Sequence, residues 1–324
     1  MGYFLAKGRS LLCNNEDKKA LPYLKTAVEN NPDSIDAFLH YGICLDKLGR
    51  YGDAASAFNE ALRMRPDSAD THYLLGRVYC KLGQALEAVE SLKEALRLQP
   101  DWADAYISLG FAYVKLGRPQ EAVDACTEAI RIQPDWADAY ISLGFAYSKL
   151  GQHQKEIDAY KEAIRINPDN ARAHANLGAA YGMLGQYRKA IEACKEAIRI
   201  QPDDAAAHVN LGRAYSAHGR YREAVEVCKK AVKIKPDFAE AHLHQGFAYG
   251  RVGLYQAAVE AFKKAVKIQP FDAGAHYLLG RAYIDINAQT DAREEYKILK
   301  NLDVELAQEL FNHIIKIRNF QNLS

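Results

Sequence analysis

Along this chain, apolar positions recur at helical spacing, break off, and recur again in the same order. Within residues 69–102, His72, Leu75, Gly76 and Tyr79 share one face of a helix, because positions i, i+3, i+4 and i+7 stack on one side. Ala88, Leu92 and Ala95 share one face of a second helix. Gly83, between the two runs, predicts a left-handed residue that ends the first helix, and Pro100 stops the second.

The pattern is periodic. Pro32, Pro66, Pro100, Pro134, Pro168, Pro202, Pro236 and Pro270 are separated by 34 residues each, and glycines from Gly8 to Gly280 keep the same period. Positions are numbered here as slots 1 to 34, with the first repeat starting at residue 1. Slot 8 is Gly throughout, slot 20 is Ala except at Glu156, and slot 27 is Ala from Ala27 to Ala265. These small residues predict two helix backbones in close approach. Slot 24 holds the bulkier Leu24, Phe58, Leu92, Tyr160 and Phe262, and also Cys126, Cys194 and Cys228. Slot 15 is Gly except for Asn15 and Asn287, and Asn is the next-best residue for a left-handed conformation. Asp33, Asp67, Asp101, Asp135, Asp169, Asp203 and Asp237 fall where the next helix needs an N-cap.

This set of slots, with an aromatic or His at 4, Leu at 7, Gly at 8, Tyr at 11, Ala at 20 and 27 and Pro at 32, closely resembles the tetratricopeptide repeat family over nearly the whole chain. The resemblance implies an all-α fold, a right-handed superhelical solenoid of tandem helix-turn-helix hairpins. The repeats are 1–34, 35–68, 69–102, 103–136, 137–170, 171–204, 205–238, 239–272 and 273–306. A hairpin cannot bury its apolar stripe alone, so the ends need caps. Val304 replaces the slot-32 proline of the ninth repeat, and Leu306, Leu310 and Ile314 predict a C-terminal capping helix over 303–318, followed by a tail at 319–324. Lys7 replaces the usual slot-7 Leu, so the first repeat is itself an edge cap or more sequence lies upstream. Glu156 puts a carboxylate where helices should touch, which predicts a loosened or re-tilted fifth hairpin.

Charge and composition narrow the function. The 324 residues carry 42 basic and 41 acidic side chains, a net +1, which gives no overall electrostatic footprint for nucleic acid. No stretch approaches the roughly 20 apolar residues that span a bilayer, so membrane insertion is not expected. No secretory leader or myristoylation signal is visible at the first residues. Six scattered cysteines read as small buried hydrophobes in a reducing compartment, and the cytoplasm is the expected address. Phosphate loops, dinucleotide fingerprints, nucleophile elbows and zinc helices are all missing, so no enzyme and no cofactor or metal is expected. His72, His174, His208, His242 and His276 form a ladder at slot 4, but equivalent slots lie on the order of 10 Å apart, too far to converge on one ion. They read as core histidines. An Asn-Leu-Ser acceptor at 322–324 sits in the tail and carries no weight.

The resemblance also implies that slots 2, 5, 6, 9, 12 and 13 of each first helix line a concave peptide-binding groove. The candidate residues there are Tyr73, Arg77, Asp104, Ile107, Ser108, Phe111, Asp138, Ile141, Ser142, Phe145, Asn176, Asn210, Arg213 and Phe247. Residues 101–113 and 135–147 are identical, suggesting two equivalent apolar pockets, Ile107/Phe111 and Ile141/Phe145, or a recent duplication. Lys81, Lys115 and Lys149 add positive charge at slot 13. Asp36, Asp70, Asp104, Asp138 and Glu240 at slot 2 read as first-turn acids favoured by the helix dipole. Asn176 and Asn210 resemble a short piece of the asparagine ladder of O-linked N-acetylglucosamine transferases, able to grip a peptide backbone. The two-carboxylate clamp of chaperone-binding relatives is not matched, since Leu5, Arg9, Leu39, Ile43 and Leu74 stand in its region. The expected function is a protein–protein interaction scaffold that holds a peptide or protein segment. The alternatives are a docking region of a larger enzyme, for example a glycosyltransferase, and a self-assembling array with weak self-association.

Overall fold

A computed structural model describes the backbone of residues 2–321 and the side chains of residues 2–316. Among the described residues the secondary structure is nineteen α-helices and no strand. The first compact unit, Met1–Ile166, contains five hairpins. They are α1 (Gly2–Cys13) with α2 (Asp17–Asn30), α3 (Ile35–Lys47) with α4 (Tyr51–Met64), and α5 (Ala69–Leu82) with α6 (Ala85–Leu98). Then come α7 (Ala103–Lys115) with α8 (Pro119–Ile132), and α9 (Ala137–Lys149) with α10 (His153–Ile166).

The second unit, Asn167–Ser324, contains four hairpins and a last helix. Its hairpins are α11 (Ala171–Met183) with α12 (Tyr187–Ile200), and α13 (Ala205–Ala217) with α14 (Tyr221–Ile234). Next are α15 (Ala239–Val252) with α16 (Tyr255–Ile268), and α17 (Ala273–Asp285) with α18 (Gln289–Leu302), followed by α19 (Val304–Gln321). Within each unit, a hairpin's first helix packs on its second and on the first helix of the next hairpin.

Each hairpin closes on one contact. A Cβ added to Gly42 would lie 2.6 Å from the Phe58 ring, and one on Gly212 would lie 2.5 Å from Cys228 Sγ. Only a bare Cα lets the slot-24 side chain reach the first helix, which is why bulk at 24 and Gly at 8 occur together. The alanines beside that contact, such as Ala54, Ala122 and Ala224, are fully buried. The ninth repeat differs. Gly280 meets Leu310 of α19, while Tyr296 of slot 24 stacks on Phe311 with centroids 5.1 Å apart. The last helix thus supplies the contact the ninth hairpin does not make for itself. It continues helically through residues 319–321, beyond the predicted boundary at 318; residues 322–324, and the acceptor motif there, lie outside the described residues.

Turn chemistry follows the slots, with one correction. Gly83 has φ 77°, and Asn15 and Asn287 take 57° and 60°. Each such residue is followed by an amide bonded back to slot 11, as in Gln84 N–H to Tyr79 O at 3.0 Å. The N-caps lie at slot 34 rather than at the slot-33 aspartates. Ser34, Ser68, Asn170, Asp204 and Asp272 have extended backbones and accept from a first-turn amide. The slot-33 residue is still inside the turn that follows Pro, one residue too early for its side chain to serve as the cap. Where slot 34 is Trp102, Trp136 or Phe238, no side chain caps the helix and the ring packs instead.

The fifth hairpin does not loosen. Glu156 is 4% exposed, and its Oε2 lies 2.8 Å from His153 Nδ1 in the same first turn of α10. That partner and the positive end of the helix dipole offset the burial of the carboxylate. Tyr160 stays seated on Gly144, where an added Cβ would lie 2.5 Å from its ring.

Relocating the caps yields a direct test. Ser34→Ala should cost α3 about 1 kcal/mol and speed hydrogen exchange of the Ala37 amide, which donates to Ser34 Oγ at 3.2 Å. Asp33→Ala should change stability by less than about 0.5 kcal/mol in the same measurement.

Candidate functional site

In the first unit the candidate face is built on α5, α7 and α9. Tyr73 is half-buried against Trp102, with ring centroids 4.4 Å apart, and the Arg77 guanidinium lies 5.5 Å from its ring centre. Phe111 and Phe145 are 44% and 39% exposed, one repeat apart. Lys115 Nζ sits 5.3 Å from the Phe111 ring centre, and Lys149 Nζ sits 5.1 Å from that of Phe145. Each exposed phenylalanine is therefore an apolar ring with a cation held over its face. Asp104 and Asp138 are exposed in the first turns of α7 and α9, and Ser108 is half-buried. The Ser142 hydroxyl donates to the Asp138 carbonyl at 2.9 Å, so it is engaged by its own helix.

The two apolar pockets are not equivalent. Ile107 is half-buried beside Ala103, Ala129 and Ala139, whereas Ile141 is 4% exposed and offers no surface. The two helices have the same local sequence, but exposure depends on what other helices lay over a side chain. Phe111 and Phe145 therefore stand as surface residues, and Ile141 does not join them.

In the second unit the face is built on α11, α13, α15 and α17. A cleft of about 80 Å³ lies beside α11 and α13, lined by Gly178, Ala179, Gly182, Tyr187, Asn210 and Arg213. The small slot-9 and slot-12 residues of α11 leave it open. Asn210 Nδ2 donates to the Ala175 carbonyl at 3.5 Å, linking α13 to α11, and Asn176 is half-buried. Arg213 is exposed and lies near Glu240, whose carboxyl is held below its ordinary range first by a hydrogen bond with His244 and less by Arg213. Phe247 is 41% exposed. On α17 the face is covered: the Tyr277 hydroxyl donates to Glu309 of α19, and Arg281 Nη1 donates to Tyr277 Oη at 3.1 Å. The α11 cleft was legible only as Ala179 at slot 9, where the other repeats carry Phe, Arg or Ile, and as Gly182 at slot 12. The capping helix was expected from Leu306, Leu310 and Ile314, but its reach to Tyr277 through Glu309 was not.

Two family models match this chain. One, described as the Cilia and flagella-associated protein 70 C-terminal domain, matches residues 68–245, more than half of the chain. The other, described as Tetratricopeptide repeat, matches residues 5–69 and 239–303. The chain belongs to the tetratricopeptide repeat family. No curated protein matches its sequence. Among solved structures, a tetratricopeptide repeat protein from Parabacteroides merdae is 18% identical with a TM-score of 0.65, covering 76% of this chain and 98% of that one. The Cut9–Hcn1 hetero-tetramer of APC/C contains a chain 18% identical with a TM-score of 0.64, covering 92% of this chain. This chain spans 58% of that one's length. Pseudomonas aeruginosa pilF is 21% identical with a TM-score of 0.57, covering 65% of this chain and 96% of its own. At these identities the likeness is one of fold.

The histidine ladder of this tetratricopeptide repeat chain has a structural use. Nε2 of His72, His174, His208, His242 and His276 lies 2.8, 2.9, 3.0, 2.9 and 3.0 Å from the carbonyl of Pro66, Pro168, Pro202, Pro236 and Pro270. An N–H at Nε2 donates there, satisfying a carbonyl left over where the preceding helix ends. Nδ1 is buried without a partner in His208 and His242. In His276 it meets Glu295 Oε2 at 2.6 Å, because slot 23, Val227 and Ala261 in the two preceding repeats, is a carboxylate there. Among the described residues no group of three or more His, Cys, Asp or Glu is placed to hold a metal ion, and no helix is long and apolar enough to cross a membrane.

The buried pair makes the ninth repeat sensitive to pH. Burial raises the Glu295 carboxyl above its ordinary value of 4.5, outweighing the opposite pull of His276, and nearby Asp291 adds to the rise. Folded protein then keeps a proton that unfolded protein has released. Its contribution is fully present below the ordinary carboxylate value and declines as pH rises through the raised one. Hydrogen exchange in α17 and α18 should therefore quicken across that window, and Glu295→Gln should flatten the dependence.

Proposed function

We propose that this chain is a non-catalytic interaction scaffold whose first-helix faces hold a peptide or protein segment. The carrying observation is the pair Phe111 and Phe145, both exposed, one repeat apart, each with a lysine over its ring. Two exposed rings one repeat apart form an apolar patch rather than a scattered residue, and aromatic rings beside cations form contact sites for extended segments. The residues Tyr73, Arg77, Asp104, Ile107, Ser108 and Asp138 flank this patch, with Ser142 beside it. In the second unit the cleft at Asn210 and Arg213, with Asn176 and Phe247, supplies amide and guanidinium donors for a backbone or carboxylate. Cytoplasm is the proposed address, supported by buried thiols at slot 24 whose protons burial holds to about pH 12. The matched model named for a cilia and flagella-associated protein makes proteins of those organelles the first partners to try.

A displayed random-peptide library selected against the full chain tests the reading. Phe111→Ala with Phe145→Ala should weaken selected peptides by about tenfold or more in calorimetry, about 1.4 kcal/mol. Thermal stability should hardly change, since both rings are on the surface. Peptides that bind the double variant with undiminished affinity would remove this surface from the proposal.

A further inference from the structure

The second helices of the hairpins carry a charge pattern of their own. In five successive repeats slot 26 is Glu and slot 29 is Arg, and the two pair: Glu60 with Arg63 at 2.9 Å, Glu94 with Arg97 at 2.7 Å, and Glu128 with Arg131 at 2.8 Å. Glu162 pairs with Arg165 at 2.8 Å and Glu196 with Arg199 at 2.7 Å. The next two repeats break the pattern in the same way. Lys230 and Lys233 occupy the two slots on α14, and Lys264 and Lys267 occupy them on α16. All four are exposed, and among the described residues none makes a hydrogen bond or ion pair. Like charges three residues apart on a helix repel, so the change weakens each helix locally. It occurs twice in succession with no internal partner to offset it.

Clefts between neighbouring repeats show what the change does. Beside α4, α5 and α6, a cleft of about 490 Å³ has His72 and Leu75 in its wall and is rimmed by Glu87, Glu90 and Glu94, with Arg63 as its one cation. Beside α12, α13 and α14, a cleft of about 470 Å³ has His208 in the matching place. Its rim carries Lys230 and Lys233, Asp203 is its one carboxylate, and Ile198, Pro202 and Ile234 give it an apolar surface. The His208 ring is 5% exposed and tied to Pro202 through Nε2, so that wall is held in place. Two clefts of like size at the same histidine slot thus carry opposite net charge.

We propose that the outer surface of α14 and α16 is a second binding site, for an acidic peptide segment of a partner protein. Carboxylates of the segment pair with Lys230, Lys233, Lys264 and Lys267, and an apolar side chain between them rests on Ile198 and Ile234. Of the seven cations on the two helices, Lys229 and Lys263 are paired with Glu226 and Glu260, and Arg222 acts on the neighbouring Glu223. The four lysines left over, interspersed with those carboxylates, are too sparse for the continuous phosphate contacts that nucleic acid needs. An apolar cleft beside a row of cations instead matches a chain that alternates acidic and aliphatic side chains. The site is separate from the first-helix faces, so it stands or falls independently of them.

Fluorescence anisotropy of the full chain decides it, with a fluorescein-labelled peptide in which glutamate pairs alternate with leucines. Binding should be measurable, fall with added salt, and weaken about tenfold or more when glutamines replace the glutamates. Lys230→Glu with Lys264→Glu restores the slot-26 acid that five other repeats fold with, so the variant should keep its thermal midpoint and lose the same factor or more. Asn210→Ala, in the other face, should bind the peptide as the parent does. The proposal is overturned by absent binding, by equal affinity for the glutamine peptide, or by unchanged affinity of the lysine double variant. It is also overturned if Asn210→Ala abolishes binding, or if single-stranded oligonucleotides or phosphatidylserine vesicles displace the peptide more readily than the unlabelled peptide does.

Discussion

Everything else in this molecule depends on how closely two helices approach at slot 8. The side chain at slot 24 rests on a bare Cα, and a fully buried alanine at slot 20 lies alongside in every repeat but the fifth. Because that distance is set by absent atoms, the contact tolerates Leu, Phe, Tyr or Cys opposite the glycine but no side chain at slot 8 itself. Cysteine, the smallest of the four, leaves its sulfur buried and its proton tightly held, so the thiols belong to packing. The ninth hairpin shows the same constraint from another side. With Tyr296 turned to Phe311, the space over Gly280 is filled by Leu310 of α19.

Between hairpins, apolar packing is joined by a polar device. Proline follows the second helix of the first eight hairpins and leaves a carbonyl, and a histidine five times supplies the N–H that satisfies it. One residue type thereby serves as packing ring and helix-end donor, which gives the row of histidines a structural use. The Glu295–His276 pair adds a titratable element to only the last repeat, where α19 covers the stack. Surface Glu–Arg pairs contribute little to stability, on the order of 0–1 kcal/mol each. Their effect is to neutralise the outer face, and where lysines replace the glutamates that face becomes an electrostatic feature.

Helices, turns and their order were legible because each is encoded within a few residues: apolar face at i, i+3, i+4, left-handed Gly or Asn, then proline. The cap position was misplaced by one residue because Asp33 and Ser34 are both good caps, and only the turn geometry after proline chooses between them. Glu156 was legible as an anomaly, but not its remedy. His153 lies only three residues away, and its bond depends on the rotamers both adopt at the start of α10.

The candidate site divides along the same line. Phe111, Phe145, Asn210 and Arg213 could be named from slot positions, since a repeat places equivalent residues equivalently. What each presents to solvent could not. Ile107 and Ile141 share an identical stretch of thirteen residues and differ in burial, and Tyr277 and Arg281 are engaged by Glu309 and His313 of the last helix. By itself, then, the sequence determined the repeat, its helices and the close contact inside each hairpin, all consequences of short-range periodicity. Tertiary structure decided which faces stay open and which clefts carry unpaired charge, because exposure and pairing depend on neighbours that local pattern does not specify.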